Sequence, residues 1–161
     1  MSLKLYFLRH GQAGSRHDWH EDDSLRPLTV EGRKRMKREA TAIWKLKLPL
    51  DLILSSPLVR ASQTAEIVAN AQGSTARLIT DDRLAPGFGP KDLAAIVAEH
   101  AGAQGLMLVG HEPDFSETIG QLTGGGQLAM KKGALACVQL DDSASLKGTL
   151  VWLIPPKALE L

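Results

Sequence analysis

The feature that most constrains this chain is a short apolar run that ends abruptly in an Arg-His-Gly triplet. Leu3 to Leu8 is typical of a buried β-strand, and Arg9, His10 and Gly11 follow it directly. Ligands of open α/β sheets bind just outside the carboxyl ends of the strands. There the guanidinium matches phosphate oxygens, the imidazole can attack phosphorus, and a residue without Cβ lets the backbone approach an anion. The triplet alone fits a surface arginine and a non-catalytic strand-end histidine equally well.

Two later stretches repeat this arrangement of an apolar run followed by polar chemistry. The segment 55–65 (SSPLVRASQTA) follows a second predicted strand and carries Arg60 in the first turn of a predicted helix. The segment 110–113 (GHEP) follows a third predicted strand and carries His111. If these strands are parallel, their carboxyl ends bring two arginines and two histidines to one edge of the sheet.

Taken together, the three motifs resemble the histidine phosphatase superfamily, the phosphoglycerate mutase-like enzymes with an Arg-His-Gly signature. The match extends from Leu3 to about Trp152. The resemblance implies that His10 is the nucleophile and forms a covalent phosphohistidine. It also implies a catalytic set of Arg9, His10, Arg60 and His111, and a phosphate-binding set of Arg9, Gly11, Arg26, Arg60 and His111.

Within the superfamily the chain is most similar to the SixA-like branch, which is active on phosphohistidine. The sequence Arg26-Pro27-Leu28-Thr29 follows the first loop, as it does in that branch, and Thr29 is a predicted cap for the next helix. The resemblance implies that Arg26 reaches the phosphate pocket. The alternative is that Arg26 is a surface residue.

The leaving group decides which substrate such a site accepts. Many members of the superfamily carry Glu or Asp after the third strand to protonate an alkoxide, whereas this chain has Ala85-Pro86 there. Asp82 and Glu112 remain as candidate general acids. An imidazole is a weak base with a pKa near 6.5 and needs less help to leave. We therefore expect a phosphohistidine phosphatase that acts on protein-bound phosphohistidine, with a broad-specificity phosphomonoesterase or a non-catalytic phosphoprotein-binding module as alternatives.

The bulk properties of the chain limit its partners and compartment. At 161 residues it is long enough for one domain, 1–161, and its net charge of +1 gives no argument for a nucleic acid or membrane partner. The single Cys137 excludes an internal disulfide and fits a reducing cytosol, and the lack of an 18-residue apolar run predicts that there is no transmembrane helix. We expect a monomeric cytoplasmic protein of signal transduction, without a cofactor or metal, whose partner is a phosphohistidine-containing protein.

Two polar segments of the chain can each be interpreted in two ways, as a binding site or as a solvated surface. The loop 12–27 could bind a metal ion through its imidazoles and carboxylates, or simply be a solvated rim of a cleft. Its candidate ligands are His17, Asp18, His20, Glu21, Asp22 and Asp23. The helix that follows has a basic face of Arg33, Lys34, Arg35, Lys37 and Arg38. That face is either solvated or a docking surface for an acidic partner.

The pattern of apolar residues predicts an α/β fold, a three-layer sandwich with a mixed, mostly parallel sheet flanked by helices. A polar turn near the end of the chain predicts a C-terminal antiparallel hairpin, and the tail after Pro155-Pro156 is expected to lack regular structure. The predicted strands are 3–8, 50–54, 76–80, 105–109, 134–140 and 148–154. The predicted helices are 30–47, 58–72, 91–102 and 113–122.

Overall fold

The computed structural model describes residues 2–73 and 76–160, which contain a single six-stranded sheet. The strands are β1 (Leu3–Arg9), β2 (Leu52–Ser55), β3 (Arg77–Thr80), β4 (Gly105–Gly110), β5 (Leu135–Asp142) and β6 (Lys147–Ile154). Their order across the sheet is β3-β2-β4-β1-β5-β6. The first four strands pair in parallel, while β5 runs antiparallel to both β1 and β6. The predicted mixed sheet with a terminal hairpin is therefore confirmed.

Helices cover both faces of this sheet. They are α1 (Val30–Lys45), α2 (Val59–Gln72), α3 (Pro90–Glu99), α4 (Asp114–Leu122) and α5 (Pro156–Leu159). Side chains of α1 and α2 pack on one face, and those of α3 and α4 pack on the other. No helix in the described part of the chain is long and apolar enough to cross a membrane. The first four helices and all six strands lie within three residues of their predicted bounds.

Strand β1 is apolar and buried from Leu5 to Leu8 because both of its faces are covered there. Leu5 and Phe7 belong to the core under α3 and α4, while Tyr6 and Leu8 belong to the core under α1 and α2. Successive side chains of a strand point to opposite faces, so a strand between two helical layers needs apolar residues at every position. This burial fixes the register of β1 and hence the position of Arg9 at its end.

Helix α1 begins and packs as the sequence predicts, with one exception. The hydroxyl of Thr29 accepts a hydrogen bond from the backbone N–H of Gly32 at 2.9 Å and caps the helix. Met36 and Ile43 are buried, but Trp44, which we predicted in the same apolar stripe, is 44% exposed. The Lys47 ammonium lies 3.4 Å from the centre of the Trp44 ring, so this tryptophan ends in a surface cation–π contact.

The tail departs from the prediction of irregular structure. Pro156–Leu159 forms α5, a single helical turn with a proline at its start, and Leu159 is buried in the core under α1. Proline is favoured in the first turn of a helix, so the residues that end β6 also begin α5. The tail thereby packs against α1 through Leu159.

A buried carboxyl group, Glu39, lies on the inner side of α1. Glu39 is 2% exposed, and its Oε2 atom has no hydrogen-bond partner among the described residues. Gly133 adopts a φ of +85°, and a Cβ on it would lie 2.6 Å from Glu39 Oε1. Burial, with the charge of Glu160 as a smaller contribution, raises the pKa of Glu39 to about 8. The Glu39 side chain is therefore mostly an uncharged acid at neutral pH.

Replacing this acid by its neutral isostere, Glu39→Gln, is expected to stabilise the protein at alkaline pH. Between the pKa of the unfolded chain and about 8, folded Glu39 retains a proton that the unfolded chain releases, so stability of the wild type falls as pH rises. At about 1.36 kcal/mol per pKa unit, the variant gains at most about 5 kcal/mol at pH 8 and little at pH 5. Urea unfolding at both pH values measures the gain. The exposed Glu66→Gln is the matched control, and equal pH dependence in wild type and Glu39→Gln would contradict the prediction.

Candidate active site

Backbone hydrogen bonds hold three strand ends together at the carboxyl edge of the sheet. The N–H of His10, just after β1, donates to the carbonyl of Gly110 at 3.1 Å. The N–H of Ser56, just after β2, donates to the carbonyl of Val109 at 2.9 Å. The ladder of the sheet thus continues one residue beyond β1 and β2. This continuation fixes the backbone of His10 and Ser56 relative to His111.

A cavity of about 520 Å³ opens at this edge. The residues that line it come from the ends of β1 and β4, the loop after β1, the start of α2, the loop after β3 and the segment before β5. They are Arg9, His10, Ala13, Gly14, Ser15, Arg16, Arg26, Arg60, Pro86, His111, Glu112 and Lys132. The structure therefore brings together Arg9, His10, Arg26, Arg60 and His111. Five arginines and lysines of this lining outnumber its one carboxyl group, that of Glu112, and the Asp23 carboxylate that pairs with Arg26 and Arg60, so the cavity is positive.

His10 is buried and uncharged. Its Nδ1 atom lies 2.7 Å from the carbonyl oxygen of Gly11, which can only accept, so Nδ1 carries the ring proton and donates it. Burial, with smaller contributions from the neighbouring His111, Arg60 and Arg9, lowers the pKa of His10 to about 3, although the hydrogen bond to Gly11 opposes the change. The Nε2 lone pair is then unprotonated at neutral pH. A neutral imidazole with a free Nε2 is the form in which histidine acts as a nucleophile.

His111 lies beside His10, with 5.3 Å between the ring centres. Its Nε2 atom is 2.8 Å from the hydroxyl of Ser56, and that hydroxyl also accepts from the N–H of Leu58. When the Ser56 proton is donated to Nε2, the ring proton of His111 lies on Nδ1. That Nδ1 is buried without a hydrogen-bond partner among the described residues. Burial first, then Arg60 and Arg9, lower the pKa of His111 to about 4.

The Asp23 carboxylate accepts hydrogen bonds from two buried arginines of the cavity, Arg26 and Arg60. Arg60, which is 3% exposed, donates to the backbone carbonyl of Asp23 at 2.9 Å and to its carboxylate at 3.1 Å. Arg26 donates through Nε to the other carboxylate oxygen at 3.0 Å. Although burial opposes the change, these contacts hold the pKa of Asp23 below its ordinary value. Asp23 therefore fixes both guanidinium groups at the cavity wall.

Arg9 and Gly11 have different roles in this arrangement. Arg9 donates to the carbonyl of Met130 at 2.8 Å, while its Nε is buried without a partner among the described residues. Gly11, predicted to let the backbone approach phosphate, instead donates its N–H to the Thr64 hydroxyl at 3.0 Å. A Cβ on Gly11 would lie 2.6 Å from Met36 Cγ. Close packing against α1 is therefore one reason for a glycine at this position.

The two candidate general acids lie in different places. Glu112 lines the cavity, and its Oε1 accepts a hydrogen bond from the N–H of Ser116 at 2.8 Å. Asp82 is exposed on a short 3₁₀ turn and does not line the cavity. Pro86, from the Ala85-Pro86 segment where the family resemblance led us to expect an acid, forms part of the wall. Glu112 is thus the candidate acid that the cavity can use.

The loop 12–27 does not gather the ligand set considered from its sequence. Within residues 2–73 and 76–160, no group of three or more His, Cys, Asp or Glu side chains is placed to hold a metal ion. Asp23 from this loop contacts arginines instead, and His17 and His20 are exposed.

The functional residues that sequence reasoning missed are Asp23 and Ser56. The spacing of Asp23 three residues before Arg26 could have indicated the contact between these two side chains. Nothing in the local sequence indicates the contact of Ser56 with His111.

Both active-site histidines are expected to stay largely neutral from pH 7.5 down to pH 5. Their pKa values are lowered to about 3 for His10 and about 4 for His111. The unfolded chain takes up these protons below about pH 6.5, so the same shifts weaken folding as the pH falls toward 4. Imidazole ¹⁵N chemical shifts, assigned with His10→Ala and His111→Ala, measure this directly. A titration midpoint near 6.5 for either ring would refute it.

The amino-acid sequence of this chain is similar to those of known proteins. The family model described as histidine phosphatase superfamily (branch 1) matches residues 5–89. An uncharacterised protein of Picosynechococcus is 36% identical over 95% of this chain and 100% of its own. The phosphohistidine phosphatase SixA of Escherichia coli is 26% identical over 99% of this chain and 98% of its own.

A solved structure extends the likeness to three dimensions. The structure of the protein histidine phosphatase SixA complexed with tungstate superposes with a TM-score of 0.83 at 27% identity, covering 98% of this chain and 99% of that one. The chain is a member of the histidine phosphatase superfamily and has the α/β fold of SixA.

Proposed function

We propose that this protein hydrolyses phosphohistidine on a partner protein through a phospho-His10 intermediate. The observation that carries the proposal is the cavity itself, in which His10, with its Nδ1 bound to the Gly11 carbonyl, lies among Arg9, Arg26, Arg60 and His111. Guanidinium groups bind phosphate oxygens, so this lining fits a phosphoryl group beside the imidazole. A phosphoryl group supplies three acceptor oxygens and the negative charge that the lining lacks.

The proposed reaction has two steps at phosphorus. Nε2 of His10 attacks and forms a new P–N bond while the P–N bond to the substrate imidazole breaks. With a proton on its other nitrogen, that ring leaves as neutral imidazole. Water then attacks phospho-His10, so that inorganic phosphate and neutral His10 are released. Charge on the equatorial oxygens is stabilised mainly by positioned cations, here Arg9, Arg26 and Arg60.

The cavity wall favours an imidazole leaving group over an alkoxide. Pro86 offers no proton in the segment where the family resemblance led us to expect an acid, and Asp82 lies outside the cavity. The names of the two SixA relatives support the same substrate class, and tungstate, which one of them binds, is a tetrahedral oxyanion like phosphate. Since arginines supply the positive charge, we expect turnover to survive a chelator, as a metal-independent hydrolase requires.

A second candidate function is supported by Glu112, the carboxyl group in the cavity lining. If Glu112 is protonated by the time the leaving group departs, the site can release an alkoxide. The protein would then be a broad phosphomonoesterase. The N–H of Ser116 holds one oxygen of this carboxyl group and leaves the other for such a proton.

Phosphate release distinguishes these functions. The substrates are a histidine-phosphorylated protein, free phosphohistidine, and a panel of sugar phosphates and nucleotides, each with and without EDTA. Preferential hydrolysis of phosphohistidine supports the proposal. Faster hydrolysis of monoesters, lost in Glu112→Gln, supports the second function. Binding of phosphoprotein without any turnover would establish a non-catalytic binding module and refute both.

A further inference from the structure

A second cavity of about 740 Å³ adjoins the catalytic cavity, because Arg9 and Lys132 line both of them. The rest of its lining comes from the residues just after β1, from α1, from the segment 131–132 and from the start of α5. Because the two cavities share these lining residues, neighbouring residues of one bound chain can occupy them.

The second cavity carries positive charge that the protein does not neutralise. Its cationic lining residues are Arg9, Arg35, Lys131, Lys132 and Lys157. In the described part of the chain, Lys131, Lys132 and Lys157 form no salt bridge. Arg35 lies 3.8 Å from Glu160, a loose pair. Burial, together with Arg9, Arg26 and Arg60, lowers the pKa of Lys132, which indicates an excess of like charge around it.

The two acidic residues of the lining do not cancel this excess. Glu39 is mostly uncharged at neutral pH because burial raises its pKa to about 8, so Glu160 is the single anion set against five cations. Lys131, Lys132 and Lys157 of the lining form no salt bridge among the described residues. The cavity thus presents ammonium groups without an anionic partner, and such groups bind a carboxylate.

We infer that the second cavity is a subsite for the acidic residues that flank the phosphohistidine of the substrate protein. This inference rests on the proposed function and deepens it. The continuity through Arg9 and Lys132 lets one extended segment occupy both cavities. Met36, Pro155 and Pro156 provide apolar lining for the methylene groups of a glutamate. Of the basic face predicted on α1, Arg35 lines the cavity, whereas Lys34 and Lys37 are exposed outside it.

Two synthetic peptides of equal length test the subsite. Each carries one phosphohistidine, flanked by glutamates in the first peptide and by glutamines in the second. We expect kcat/KM of the wild type to be about tenfold higher for the acidic peptide, because two or three exposed charge pairs together are worth about that factor. The preference is expected to reside in KM and to shrink when the salt concentration is raised, as surface charge pairs are screened.

The double variant Lys131→Gln/Lys157→Gln is expected to reduce this preference to about twofold or less. It leaves Arg9 and Lys132, which line the catalytic cavity, in place. The matched control Lys34→Gln/Lys37→Gln removes the same charge from α1 outside the cavity and is expected to keep the full preference. Activity of every variant on the neutral peptide should match that of the wild type.

The outcomes separate the subsite from the function itself. Turnover of both peptides at equal kcat/KM by the wild type would overturn the subsite while leaving the phosphohistidine phosphatase intact. Equal loss of preference in the control variant would also overturn the subsite, because it would indicate only a general effect of net charge. No turnover of either peptide by the wild type would overturn both the subsite and the proposed function.

Discussion

Replacing His10 by alanine is expected to reduce phosphate release from phosphohistidine by at least about 10³-fold. The variant loses the free Nε2 lone pair that the hydrogen bond from Nδ1 to Gly11 keeps available. His111 does not substitute for it, since its ring centre lies 5.3 Å away and its Nε2 is engaged by Ser56. Rapid quenching of wild type with ³²P-labelled substrate should trap labelled protein, and His10→Ala should give none.

The control for this variant is His17→Ala in the exposed part of the loop after β1. It removes an imidazole of the same type and should leave turnover within about twofold of the wild type. It also tests the metal interpretation of that loop, which requires His17 as a ligand. Labelled His10→Ala protein, or more than a tenth of wild-type activity, would remove His10 from the role of nucleophile.

Replacing Arg60 by glutamine is expected to lower kcat by about 10²- to 10³-fold, the range found when one donor to a developing oxyanion is removed. Arg60 is buried in the first turn of α2, and its Nε has no partner among the described residues. Arg60→Lys should recover a minor part of the activity, because an ammonium keeps the charge but loses the planar fork of donors. Steady-state kinetics on free phosphohistidine measures all three proteins.

Arg83→Gln is the matched control for Arg60→Gln. Arg83 pairs with Asp81 and Glu99 at 2.6 and 2.8 Å and lies outside the catalytic cavity. Its loss should change the melting temperature slightly and leave kcat unchanged. If Arg60→Gln kept wild-type kcat and changed only the melting temperature, the contacts of Arg60 with Asp23 would be purely structural.

The sequence alone was sufficient for the fold because the local signals agree with one another. Continuous apolar runs indicated strands buried on both faces, as β1 and β4 are, and the capping Thr29 marked the start of α1. The convergence of Arg9, His10, Arg60 and His111 could be predicted for a related reason. Each follows a strand or begins a helix at the end that parallel strands share.

The remaining features depend on contacts between distant parts of the chain, which local patterns do not encode. The close contact of Gly11 with Met36, which is 25 positions further along, could not be predicted from the Arg-His-Gly triplet. The same is true of Asp23, which lies in the loop considered as a metal site or a solvated rim and in fact contacts Arg60. The helical turn of α5 follows from burial of Leu159 against α1, a contact that the short tail sequence could not reveal.

The position of β1 between β4 and β5 has a consequence for biosynthesis. Strand β1 is made before both of its partners, Gly105–Gly110 and Leu135–Asp142, which follow about 100 and about 130 residues later. At about 5–20 residues per second, the nascent His10 waits several seconds before Gly110 is available to hold it. The sheet around His10 is therefore complete only after β5 has been made, and a translation product that ends before Leu135 cannot form it.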